Sequence, residues 1–124
     1  MTGPNKMADN DAEILQDLKR VTAGLLFMSE SDYPFEVVHW ENLTDVTHDF
    51  LCRLAGEPTG CQVEEMEVED FLLAEKYKNI VRVLSNNLTE RKAYKVGKIN
   101  MPVYVVGRSQ RGNWLGVSTR VVQT

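Results

Sequence analysis

The C-terminal part of the chain most constrains the fold, because it predicts three strands in succession. The segments are AYKVGK, MPVYVVGR and WLGVSTRVVQ, and each is rich in β-branched and aromatic residues. Gly112 and Asn113 lie between the last two segments and favour a hairpin turn. The run VYVV has no polar face, which predicts a central strand covered by other elements on both sides.

Helices are predicted earlier in the chain, where apolar residues recur every three to four positions. Asn10 and Glu13 have capping-box spacing and predict a helix over about 10–23, which Gly24 ends. The segment FEVVHW follows a proline and predicts a strand. A weaker strand is expected near VEEM. Two further helices are expected, over about 47–55 and, as one long helix, over about 70–87.

The resulting order, α-β-α-β-α-β-β-β, predicts an α+β domain with a mixed central sheet and helices on both faces. A chain of 124 residues suits one domain. We expect residues 1–9 to be a disordered lead-in and residues 10–124 to form that domain. No early apolar run resembles a signal peptide and no apolar stretch is long enough to span a bilayer, which favours a cytoplasmic protein that does not associate with membranes.

The two cysteines, Cys52 and Cys61, show no CxxC spacing and no second pair of metal ligands, so no zinc site is expected. We expect both to be reduced and structural. The alternative is a disulfide between positions nine residues apart.

Charge is distributed unevenly along the chain. Residues 1–75 carry 17 acids and 4 bases, whereas residues 76–124 carry 1 acid and 10 bases. The acidic half could face a basic partner, or the two halves could pair with each other within the fold. The bases form no clustered tract, so direct binding of nucleic acid is not expected. A protein that itself binds nucleic acid is a more natural partner.

An enzymatic function requires a nucleophile with a base or a metal cluster, and the available side chains show no such spacing. His39 lies within a predicted strand and His48 at a predicted helix start, which favours structural, hydrogen-bonded roles for both. No nucleotide-binding, zinc-protease or hydrolase motif occurs. We therefore expect a protein that is not an enzyme and that carries no cofactor.

The stretch LLFMSESDYPFEVVHW begins as the apolar end of a helix and closes as an apolar strand, yet it holds two acids between them. Glu30 is thus either a solvent-exposed loop residue without a specific role or a residue presented to a partner. The blocks GLLFMSESDYPFEV and VYVVGRSQRGNWLGVSTRVVQT closely resemble the nuclease A inhibitor family, and EILQDLK, VTHDF and YKVGK resemble further family segments. Members of that family are small acidic proteins that bind and block a sugar-non-specific, magnesium-dependent nuclease.

The resemblance implies a three-layer α/β/α sandwich similar to the plant pathogenesis-related PR-1 proteins. It also implies that Glu30, between Ser29 and Ser31, reaches into the nuclease active site, and that Thr124, after Gln123, supplies oxygen to the nuclease's magnesium. The family pattern has an extra acidic and aromatic loop that contacts the nuclease, whereas here FLLAEKYKN is expected to run directly into helix. Two functions stay open: a stoichiometric nuclease inhibitor, monomeric when free, or a binding module of the same fold with another partner.

Overall fold

The computed structural model describes residues 10–123, which form an antiparallel sheet, a small hairpin and surrounding helices. Residues 1–9, predicted to be a disordered lead-in, and Thr124 lie outside the described residues. The helices are α1 (Asp11–Thr22), α2 (His48–Leu54), α3 (Val68–Phe71) and α4 (Lys78–Asn87), with a 3₁₀ turn at Glu75–Tyr77. The strands are β1 (Leu26–Met28), β2 (Asp32–Pro34), β3 (Glu36–Trp40), β4 (Val63–Met66), β5 (Thr89–Val96), β6 (Asn100–Arg108) and β7 (Trp114–Val122).

The main sheet has the strand order β3-β7-β6-β5-β4, and every neighbouring pair is antiparallel. The α+β class is therefore confirmed, but the mixed sheet was wrong. Short turns join β5, β6 and β7, and a short turn forces its two strands to run in opposite directions. The outer strands β3 and β4 then pair antiparallel with β7 and β5.

The central strand was predicted correctly. Strand β6 lies in the middle of the sheet, where Val103 and Val105 belong to the apolar cluster on one face and Val106 belongs to the cluster on the other. The first cluster also contains Ile14 of α1 and Leu84 of α4, both fully buried, and the second includes residues of α2. Burial on both faces explains why the run VYVV has no polar side.

The helix ends agree with their sequence signals. The Asn10 side chain accepts a hydrogen bond from the Glu13 amide at 3.2 Å, and the Thr47 hydroxyl accepts one from the Phe50 amide at 3.1 Å. Gly24 has a φ of +76°, a left-handed conformation in which glycine ends a helix without strain.

The single long helix predicted over 70–87 was wrong, because the chain is interrupted between Phe71 and Lys78. Phe71 and Tyr77 both stack on Phe27. In a continuous helix two residues six positions apart point about 120° away from each other. The interruption allows both rings to reach the same partner.

The fold brings the acidic and basic halves of the chain together. Because β4 pairs with β5, Glu64 lies beside Lys95 and Glu67 beside Lys92, with nitrogen-to-oxygen distances of 3.5 and 2.7 Å. The hydrogen bond that the Lys92 ammonium group donates to the Glu67 carboxylate raises the pKa of Lys92. Pairing within the fold, one of the two alternatives for the charge pattern, therefore holds at this edge of the sheet. The carboxylates of both pairs are exposed, and ion pairs at the surface contribute little to stability.

Cys52 and Cys61 form a disulfide, with their Cα atoms 5.9 Å apart. The expectation that both are reduced was wrong, and the alternative of a bond between positions nine residues apart is the one observed. After α2 the chain turns at Gly56, whose φ is +75°, and returns beside the helix. The sequence separation alone does not reveal that return. The cytoplasmic location, which disfavours disulfides, stays a prediction.

Within residues 10–123, none of the helices has both the length and the apolar character needed to cross a bilayer.

Candidate partner-binding site

The segment SES closes a hairpin that was not predicted. Leu26–Met28, which follows the helix predicted over about 10–23, is strand β1, and it pairs antiparallel with β2. Ser29, Glu30 and Ser31 form the tip. The Ser29 hydroxyl donates a hydrogen bond to the Ser31 carbonyl at 2.8 Å, which holds the tip in a tight turn.

The hairpin tip is hydrogen-bonded to the end of the last strand. The Glu30 amide donates to the Val122 carbonyl at 3.3 Å, and the Val122 amide donates to the Ser29 hydroxyl at 3.1 Å. The SES loop and the chain end, which are about 90 positions apart in sequence, thus meet at one place.

The chain end is also held from its other side. The Gln123 amide donates to the carbonyl of Ile99, in the turn between β5 and β6, at 2.9 Å. Residues 122 and 123 therefore pass between two loops. Thr124 follows directly but lies outside the described residues, so its predicted role toward magnesium stays a prediction.

The predicted partner-binding residues differ in accessibility. Three of them are exposed, namely Glu30, Ser31 and Gln123. Ser29 is partly buried, and its hydroxyl bonds to the Ser31 carbonyl within the tip and to the Val122 amide of β7. This geometry suits Glu30 to contact with another molecule and Ser29 to positioning. Together, Ser29, Glu30, Ser31, Val122 and Gln123 are called the tip surface below.

An aromatic cluster anchors the hairpin to the core. The Phe27 ring stacks on the Phe71 ring, with centroids 4.5 Å apart, and on the Tyr77 ring at 5.5 Å. It meets Phe35 edge-on at 6.3 Å. Stacked and edge-on ring pairs contribute about 0.5–1.5 kcal/mol each beyond the area they bury.

The Tyr77 hydroxyl fixes the backbone of β1. It donates a hydrogen bond to the Leu26 carbonyl at 3.2 Å and accepts one from the Met28 amide at 3.4 Å. Tyr77 is only 4% exposed. A buried side chain from a distant part of the sequence therefore holds the hairpin in place, and nothing in the local sequence around SES signals it.

Apolar side chains are exposed beside the tip surface. Met28 precedes the tip and is 59% exposed, and Ile99, whose carbonyl holds Gln123, is 58% exposed. The Lys76 ammonium group contacts Met28 Sδ at 2.8 Å. Met28 and Ile99 add apolar area beside the polar tip surface.

The other candidate polar residues have structural contacts. The His48 ring bonds to the Cys61 carbonyl, and His39 lies 3.5 Å from a carboxylate oxygen of Glu41. The hydrogen-bonded role predicted for His48 is thus confirmed. Neither histidine belongs to the tip surface.

Comparison with protein families finds that the chain matches the nuclease A inhibitor-like protein family, NuiA, over residues 12–75 and 73–124. The chain belongs to this family. A search of curated proteins finds no match. The family supports a nuclease inhibitor role and a nuclease as partner. The two matched segments meet at residues 73–75, next to the interruption between α3 and the 3₁₀ turn. This is where the resemblance predicts that a family loop is missing.

Proposed function

We propose that the protein is a stoichiometric inhibitor of a magnesium-dependent, sugar-non-specific nuclease, and that its SES loop and C-terminus enter the nuclease active site together. The observation that carries the proposal is the pair of hydrogen bonds that joins Val122 to Ser29 and to Glu30. They unite two segments that the family resemblance assigns separately to the same active site. The family membership supplies the nuclease as partner.

The chemistry of the tip surface suits such a target. The active site of this kind of nuclease binds a phosphodiester beside Mg²⁺. The Glu30 carboxylate would carry the charge of that phosphate, and an oxygen of Thr124 would replace a water on the metal, because Mg²⁺ prefers hard oxygen ligands and keeps exchangeable waters. The metal belongs to the nuclease, and the inhibitor needs none for this function.

Pre-organisation favours inhibition. Ordering a flexible side chain or loop on binding costs about 0.5–1.5 kcal/mol for each immobilised side chain. The hairpin tip is already tied to β7, and β1 is tied to Tyr77, so the loop backbone loses little freedom when it enters an active site.

The same fold could instead serve as a binding module with a different partner. This second function is favoured by the junction of the two family matches at residues 73–75, where the connection is short and Leu73 is 79% exposed. Losing one hot-spot contact typically costs about 2–4 kcal/mol, or roughly 30- to 1,000-fold in affinity. An inhibitor without the family loop would bind more weakly, or would have acquired another target.

We further infer that the helices and sheet form a three-layer α/β/α sandwich similar to the PR-1 proteins. Support comes from the two apolar clusters, one on each face of the sheet, to which different helices contribute. We also propose that the free protein is a cytoplasmic monomer that does not bind nucleic acid.

The function is tested by titrating the purified protein into a panel of such nucleases that digest plasmid DNA. A sharp endpoint at one inhibitor per nuclease supports inhibition. The Glu30→Gln variant should then need a higher protein concentration to block digestion of the plasmid. Asp49→Asn is a matched control, because it also converts an exposed acid to an amide but lies on α2. No inhibition at micromolar excess across the panel would favour the binding module.

A further inference from the structure

A cluster of side chains of the types that bind metal lies away from the tip surface. A ring nitrogen of His48 and the sulfurs of Cys52 and Cys61 all lie within 4.8 Å of one another. It is the only group of three metal-ligating side chains that residues 10–123 bring together. Cys61 and α2 pack on the sheet face opposite the one that holds Phe27.

Helix geometry and one turn create the cluster. His48 begins α2 and Cys52 follows four positions later, so both side chains lie on the same side of the helix. The chain then reverses, with hydrogen bonds from the Glu57 amide to the Cys52 carbonyl at 2.8 Å and from the Cys61 amide to the Pro58 carbonyl at 3.1 Å. These bonds bring Cys61 back to the helix.

The spacing is compatible with tetrahedral zinc once the sulfurs are free. Zinc bonds of about 2.3 Å to sulfur and about 2.0–2.1 Å to nitrogen place two sulfurs about 3.8 Å apart and a sulfur and nitrogen about 3.6 Å apart. The three ligand atoms already lie within 4.8 Å. Movements of about 1 Å would therefore suffice.

A hydrogen bond to the backbone orients the His48 ring. Its Nε2 lies 2.5 Å from the Cys61 carbonyl, to which it donates in the tautomer that leaves the Nδ1 lone pair available. Metal-binding histidines typically donate their second ring N–H to a backbone carbonyl, which fixes the ring orientation. The ring therefore does not need to be ordered by the metal.

We propose that the reduced protein binds one Zn²⁺ through His48, Cys52 and Cys61, with water in the fourth position. In the oxidised protein the two sulfurs are bonded to each other and the site does not exist. A dithiol reductant transfers two electrons and two protons to the disulfide and itself becomes a disulfide, which leaves two thiols. Zn²⁺ then displaces both thiol protons and is bound by two thiolates and one imidazole.

The consequence is a redox-dependent link between α2 and the segment that leads into β4. A covalent bond joins them in oxidising conditions, and a metal ion would join them in reducing ones. The local structure would be retained in both, which reconciles the disulfide with the proposed cytoplasmic location.

The proposal is tested with the full chain, reduced by a phosphine under anaerobic conditions and titrated with Co²⁺. Thiolate-to-cobalt charge transfer and the visible bands of tetrahedral Co²⁺ should saturate at one ion per chain, and Zn²⁺ should bleach them. The oxidised protein should show neither band. His48→Ala should weaken Co²⁺ binding by at least about tenfold, since even second-shell changes cost about 10- to 100-fold. His39→Ala is the control and should bind normally.

Three results would overturn the proposal: no charge-transfer band in the reduced wild-type protein, equal binding by the oxidised protein, or normal Co²⁺ affinity in His48→Ala. Because Cys52 is fully buried, Cys52→Ser could fail to fold. Cys61→Ser, at a partly buried position, is the second thiol variant, and circular dichroism verifies its fold. It should lose the charge-transfer band of the two-thiolate site.

Discussion

Tyr77→Phe tests whether a remote hydroxyl holds the SES hairpin. The change removes the hydrogen bonds to the Leu26 carbonyl and the Met28 amide, at 3.2 and 3.4 Å, and leaves the ring stacked on Phe27. Both bonds are long, so together they contribute about 1–2 kcal/mol. For a domain of this size that loss lowers the melting temperature by about 4–8 °C.

The change should also be detectable locally, at the Met28 amide. Without the hydroxyl, the Met28 amide loses its acceptor, and its hydrogen exchange should accelerate by about tenfold or more under native conditions. Inhibition of a responsive nuclease should weaken as well, because the tip surface is less well ordered before binding.

Tyr33→Phe is the matched control, since Tyr33 lies on the same hairpin but its hydroxyl makes no hydrogen bond within the described residues. Its melting temperature and exchange should match those of the wild type. If Tyr77→Phe shows unchanged Met28 exchange and an unchanged melting temperature, the hairpin is held by its aromatic cluster and the Tyr77 hydroxyl does not stabilise it.

Three further predictions concern the sheet, the tyrosines and nucleic acid. Gly116→Ala should destabilise the protein by about 3 kcal/mol, because a Cβ at this position would lie 1.9 Å from the Val105 carbonyl oxygen. Gly112→Ala is the control: its Cβ would lie in open space, but its φ is +88°, so it should cost only about 1 kcal/mol. Thermal unfolding measures both changes. Burial raises the pKa of Tyr94 and Tyr104, so near-ultraviolet titration should show both ionising above the ordinary value of 10.0. Because the folded protein holds these phenol protons more tightly than the unfolded chain does, their contribution to folding stability is complete below about pH 10. It is lost as the pH rises through the raised pKa values. Fluorescence anisotropy at about 150 mM salt should detect no DNA complex, and salt-sensitive submicromolar binding would contradict the predicted partner class.

Local signals explain why the helix ends could be predicted. Asn10, Thr47 and Gly24 act through atoms within a few positions of themselves, so their roles can be deduced from the neighbouring sequence. The same holds for the turn at Gly112, which joins two adjacent strands.

Features that depend on distant contacts could not be predicted. The strands of the SES hairpin have three residues each and no glycine in the connection, and their anchor Tyr77 lies about 50 positions away. The predictions of a mixed sheet and of one long helix were wrong for the same reason, because both features involve distant contacts. Strand β3 pairs with β7, and Phe71 and Tyr77 both stack on Phe27.

The candidate site came from resemblance, not from the residues alone. Glu30 by itself is an exposed acid in a connection, and only the family pattern links it with the chain end. The meeting of the tip with Val122 is a finding of the structure, since sequence distance gives no indication of it.

The most direct test of the central claim is an inhibition titration that compares the native chain with a protein carrying several residues after Thr124. We expect the extended protein to keep its melting temperature within about 2 °C, since β7 ends at Val122, while inhibition falls by about a hundredfold, or roughly 3 kcal/mol. Glu30→Gln alone should weaken inhibition by about 1–3 kcal/mol. When Glu30→Gln is combined with the C-terminal extension, the loss of binding free energy should be smaller than the sum of the two separate losses, because both changes act on the same inserted part of the inhibitor. Equal inhibition by the extended and native proteins would contradict the claim that the chain end enters the active site.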